Sequence, residues 1–116
     1  MTQGIQLTST DAASHNLYAL ILAALSVTQL PQRVDQGAAI FPDFVAQVTF
    51  SLPISQAGNS GASLSVMNRS GSEMLSLIPG FTQSLGAGLL NNVSLQALYI
   101  QASASGVVTD VSIVQN

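Results

Sequence analysis

The 116-residue chain carries two arginines, no lysine, five acidic side chains and no cysteine, for a formal net charge of −3. That length fits one domain spanning 1–116. The composition excludes a disulfide framework, thiolate chemistry and the basic patch that a nucleic-acid backbone requires. Charged residues are 6% of the chain, against about 25% in ordinary soluble domains.

The polar surface therefore falls to 16 Ser, 7 Thr, 6 Asn and 11 Gln. A surface with so little charge favours association, with copies of the chain or with a lattice.

The first predicted element is a short strand in "QGIQLT", where Ile5 and Leu7 alternate with polar neighbours. A helix is expected over about residues 12–28, capped by Thr10, Asp11 or Ser14 and closed before Pro31. Leu17, Ile21, Ala24 and Leu25 form one stripe on it, while Tyr18, Leu20 and Leu22 make other sides apolar too. A helix apolar all round is covered on several sides. The second cover is either the chain's own core or a neighbouring subunit, and the pattern leaves both open. The apolar run "LYALILAAL" (17–25) is much shorter than the roughly 20 residues of a bilayer span. It follows Asp11 and no basic residue, so it reads poorly as a signal peptide. No basic amphipathic helix or lipidation signal points to a membrane partner.

Residues 31–45 read as a connection broken by Pro31, Gly37 and Pro42. Phe41 and Phe44 flank the proline; they either close one end of the core or anchor a partner. Arg33 and Arg69 are expected to meet some of the few acids, within the fold or across an interface, where a lone arginine sets register. "AQVTFSLPI" is a half-buried strand with Val48, Phe50 and Leu52 inward, stopped by Pro53. "SLSVMN" places Leu64 and Val66 on one face, "RSGSE" is a turn and "MLSLI" a short strand. The stretch from Pro79 to Asn92 reads as mostly irregular, pinned by Phe81, Leu85, Leu89 and Leu90. A hairpin over about 93–115 closes the chain, with Val107, Thr109, Val111 and Ile113 sharing a face and Gly106 at a positive φ in the turn. These elements predict a mainly β fold: an antiparallel β-sandwich or small jelly roll with one N-terminal α-helix packed on it.

The catalytic inventory is thin. His15 is the single histidine, and Asp11 lies four residues before it, at base-and-orienter spacing. Its place at a helix start makes it a surface or interface histidine. The acids are scattered, without metal-loop spacing or a paired-carboxylate cluster. "GNSG" and "GAG" lack the residues of a phosphate loop. The triplets at Asn68 and Asn92 match glycosylation acceptors, a frequent chance match. No catalytic, cofactor-binding or metal-binding residue is therefore expected.

The order of elements, with "NLYALILAAL" early and "NNVSLQALYIQASASGVVTDVSIVQN" last, resembles small structural proteins of tailed bacteriophages. The close match is the ending, a V-x-L-x-x-L-Y-I hairpin carried by Val93, Leu95, Leu98, Tyr99, Ile100, Ala102, Gly106, Val108 and Val111. The segment "RVDQGAAIFPDF" departs from the pattern, with no clear second strand. The resemblance implies a virion component made in the host cytoplasm, a head decoration or cement protein, working as a homo-oligomer, most often a trimer, on the major capsid protein or another virion protein. For that role the residues expected at subunit or partner contacts are Leu17, Tyr18, Leu20, Ile21, Leu22, Phe41, Phe44, Arg33 and Arg69. The alternative is a receptor- or glycan-binding module of a fibre or other appendage.

Overall fold

The computed structural model describes residues 2–26, 33–35, 38–40, 44–45, 47–86 and 93–114, with the backbone alone at 2–3, 33–45 and 93–94. The main strands are β1 (Thr2–Thr8), β2 (Ser14–Asn16), β3 (Gln47–Ser51), β4 (Leu64–Met67), β5 (Glu73–Leu77), β6 (Thr82–Leu85), β7 (Tyr99–Ala102) and β8 (Val108–Val114). Helix α1 (Leu17–Leu25) follows β2 directly. Two sheets result, both antiparallel, in the orders β1-β8-β3-β6 and β2-β7-β4-β5. The pairings nest: first strand with last, second with seventh, third with sixth, fourth with fifth. An eight-stranded antiparallel ribbon folded over on itself gives this order, which is the jelly-roll wrapping of a β-sandwich.

Period-two patterning builds the layers. Ile5 and Leu7 on β1, Val48 and Phe50 on β3, and Thr109, Val111 and Ile113 on β8 point inward from the first sheet. Leu64 and Val66 on β4, Leu77 on β5, and Ile100 and Ala102 on β7 meet them from the second. Leu17 and Ile21 of α1 join the same core, both without exposed surface. Burying each such large apolar side chain is worth about 1.5–3 kcal/mol.

Several expectations need correction. The helix starts at Leu17, not near residue 12, because Ser14–Asn16 pairs with Tyr99–Gln101 as a strand. Its N-cap is Asn16, whose side chain accepts from the Ala19 N–H at 3.1 Å. Ser26 ends it in the left-handed region, φ 57°. The stretch after Pro79 is not irregular throughout, since Thr82–Leu85 forms the edge strand β6. The connection at 31–45 holds a two-stranded ribbon, Arg33–Asp35 with Ala38–Ile40, and Phe44–Val45 pairs with Val93–Ser94.

The largest correction concerns the closing segment. It is not a hairpin: β7 and β8 belong to opposite sheets. Residues 103–107 cross between the layers, turning at Gly106 with φ 81°. Ser9 holds this crossing. Its N–H donates to the Val107 carbonyl at 2.9 Å, and its hydroxyl donates to the Ala104 carbonyl at 2.7 Å. A 3-10 turn at Leu95–Ala97 shifts the alternation ahead of β7, so Leu95, Leu98, Ile100 and Ala102 all face the core.

Candidate functional site

The helix residues expected at a subunit contact divide between two environments. Leu17 and Ile21 are enclosed in the chain's own core and have no side-chain surface to offer a partner. Tyr18, Leu20 and Leu22 pack against that core while half-buried, so part of each stays accessible. Arg69 is exposed, in the turn after β4. The side chains of Arg33, Phe41 and Phe44 lie outside the described residues.

A broad surface with a single charged side chain, Asp110, lies on the outer face of the first sheet. Cross-strand register sets two rows on it: Gly4, Ser112, Thr49 and Ser84, and beside them Gln6, Asp110, Ser51 and Thr82. The side chains bond to one another along the rows. Thr49 and Ser84 hydroxyls lie 2.8 Å apart, the Thr82 hydroxyl donates to Ser51 at 3.1 Å, and the Gln6 amide donates to Asp110 at 3.1 Å. This is a grid of short hydroxyls and amides with one carboxylate, with a shallow hollow lined by Gly4, Gln6, Thr49, Ser51, Asp110 and Ser112.

At one end of the sandwich three large apolar side chains stand in solvent: Ile54 at 76% exposure, Ile78 at 49% and Phe81 at 50%. Two backbone bonds hold their loops together, from the Leu52 N–H to the Phe81 carbonyl and from the Gly80 N–H to the Leu52 carbonyl at 2.7 Å. Ile54 reaches Gly80 so closely that a Cβ there would lie 3.2 Å from its Cγ2. Phe81, expected to pin the chain to the core, is thus a surface residue. Its signal in the sequence was the context, since Phe81 follows Pro79-Gly80 in a turn and precedes the polar run Thr82–Ser84.

The outer face of the second sheet carries an aromatic ring beside polar groups. Tyr99, Gln101, Met67, Asn68, Arg69 and Ser14 line a shallow depression. Gln101 and Asn68 are each half committed. The Gln101 amide donates to the Ala12 carbonyl at 2.7 Å, and Asn68 Oδ1 accepts the Ser70 and Ser72 N–H groups at 3.0 Å. The Gln101 oxygen and the Asn68 amide nitrogen have no partner among the described residues.

Asp11 and His15 do meet, at 2.7 Å between Oδ1 and Nε2. The link is a loop rather than a helical turn. Asp11 accepts the Ala13 N–H at 2.9 Å, folding residues 11–13 back so that His15 on β2 reaches the carboxylate. The His15 hydrogen bond, and then that of Ala13, holds the Asp11 carboxyl below its ordinary value. Among the described residues no serine or threonine hydroxyl bonds to His15. The described residues also hold no cluster of three metal-ligating side chains and no helix long and apolar enough to cross a membrane.

Compared with protein-family models, with curated proteins and with solved structures, the chain matches none significantly.

Proposed function

We propose that this chain is a non-enzymatic structural protein of a bacteriophage virion, a head decoration or cement protein that self-associates, as a trimer on the phage resemblance, and bridges coat subunits. The observation that carries the reading is the outer face of the first sheet, a four-strand grid of Ser, Thr and Gln with one carboxylate. Its hydroxyls and amides can be covered by a partner that supplies matching hydrogen bonds, and Asp110, already bonded to Gln6, is the one carboxylate of the grid that such a partner has to accommodate. The apolar end formed by Ile54, Ile78 and Phe81 supplies anchors of the kind that dominate interface energies. The fold agrees with the reading by analogy alone, since jelly rolls recur in viral capsid and lectin domains and serve many roles. Sedimentation of the purified chain at micromolar concentration tests it together with rebinding to phage heads lacking the protein. An oligomer that decorates such heads is expected. A monomer that leaves them bare overturns the reading.

The depression on the second sheet favours one other reading, a glycan- or receptor-binding module. Tyr99 offers a ring, and Gln101 and Asn68 offer hydrogen-bonding groups without partners among the described residues. A glycan array gives hits that Tyr99→Ala abolishes if this reading holds, and no hits if it does not. Activity retained by His15→Ala in either assay keeps the Asp11–His15 pair out of the function.

A further inference from the structure

A cavity of about 320 Å³ opens between α1 and the sandwich, within the range of roughly 300–1,000 Å³ typical of small-molecule sites. Its floor is core: Leu64, Ile100, Ala102 and Val107 line it and are each at most 7% exposed. Its outer wall is helix, at Leu20, Ala23 and Ala24. The helix wall is short at Ala23 and Ala24, and Ala24→Leu would replace a methyl by an isobutyl group beside the opening.

The cavity is not uniformly apolar. Thr109 lines it at 2% exposure, and its hydroxyl has no hydrogen-bond partner among the described residues. A buried hydroxyl without a partner is costly and rare. An occupant with one polar group removes this cost and covers the apolar floor. At the rim Asp11 and His15 are already bonded to each other at 2.7 Å and offer a charged ligand no unpaired counter-ion.

We propose that this cavity is a binding site for an uncharged, mostly apolar small molecule, about the size of a bicyclic aromatic, whose single polar group bonds to the Thr109 hydroxyl. The site shares Gln6 with the edge of the first-sheet grid and Leu20 with the helix residues expected at a subunit contact.

Calorimetric titration of the whole chain with indole, and with indene as its counterpart lacking the N–H, tests the assignment. The wild-type chain is expected to bind both saturably at one site, indole the more tightly. Ala24→Leu, a change on the exposed helix wall that keeps helix propensity high, is expected to abolish binding of both. Thr109→Val keeps the shape and removes the hydroxyl; it is expected to weaken indole roughly threefold to tenfold and to leave indene unchanged. Absence of saturable binding in the wild type overturns the proposal, as does binding that survives Ala24→Leu. Indole affinity unchanged in Thr109→Val overturns the role of Thr109, and that variant decides the matter if Ala24→Leu does not fold.

Discussion

Asn59 has no exposed surface, and its side chain joins two distant parts of the wrapping. Nδ2 donates to the Pro53 carbonyl at 2.9 Å and the Val108 carbonyl at 2.8 Å, while Oδ1 accepts the Val108 N–H at 2.7 Å. It therefore ties the loop after β3 to the first residue of β8. Asn59→Ala strands these backbone groups away from water and is expected to cost about 2–4 kcal/mol, read from urea or thermal unfolding. The neighbouring Gly58 is equally constrained, since a Cβ there would lie 2.0 Å from the Gly106 carbonyl oxygen. Gly58→Ala is expected to destabilise the chain even though its own backbone conformation is ordinary. Neither residue stood out in "GNSG", which reads as loop punctuation. The partners are 48 and 49 residues away, and only the wrapping brings them together. Gly106 was legible, because a turn between two apolar strands called for a positive φ. At Asp11 the sign of the pH effect follows from the lowered carboxyl. Its contribution is present above the ordinary value of 3.8 and is lost as pH falls through the lowered one. Asp11→Asn is expected to melt slightly below the wild type at pH 6, with the difference vanishing in stronger acid. Both groups are half exposed, so the effect is small.

At the scale of elements, α1 shows what propensity can and cannot decide. The alanine- and leucine-rich run does form the helix, but the three residues before Leu17 pair with β7 because that edge offered backbone partners. Tertiary pairing outweighs a weak helical preference at Ser14, His15 and Asn16. The stripe of Leu17 and Ile21 pointed correctly to the inner face, and the apolar character on the other sides left the outer cover undetermined. Ile21→Ala is expected to cost about 2–5 kcal/mol, because the side chain is fully buried in the core. Asn16→Ala is expected to cost about 1 kcal/mol through the lost cap, and somewhat more because its amide also donates to the Gln96 carbonyl at 2.9 Å. Leu22→Ser should cost less than Ile21→Ala in unfolding experiments, since Leu22 is only half-buried. The strand β6 escaped notice for a different reason. Its four residues include one aliphatic side chain, and as an edge strand it needs little apolar pattern beyond Leu85 against Val48.

For the molecule as a whole, strand faces were legible and strand partners were not. Alternation tells which side of Val111 is inward; it does not tell whether β8 lies beside β7 or beside β1 and β3. That choice is made by nested contacts up to 112 residues apart, such as Thr2 with Val114. The same limit hid the two candidate contact surfaces, since a hydroxyl grid exists only once four strands are in register. Those surfaces carry the last prediction. An interface between weakly charged faces has almost no Coulomb energy for salt to screen. Self-association, measured by sedimentation equilibrium, is therefore expected to change less than about threefold between 50 mM and 1 M NaCl, where one built on charge pairs would weaken steeply. Association should depend instead on the apolar end. Ile54→Ser and Phe81→Ser are each expected to weaken it by about tenfold or more, the loss of a typical anchor. Because both side chains stand outside the core, the melting temperature of the dissociated chain should barely move. An oligomer that falls apart with salt, or that tolerates both substitutions, would place the contact elsewhere than on this weakly charged, apolar-ended surface.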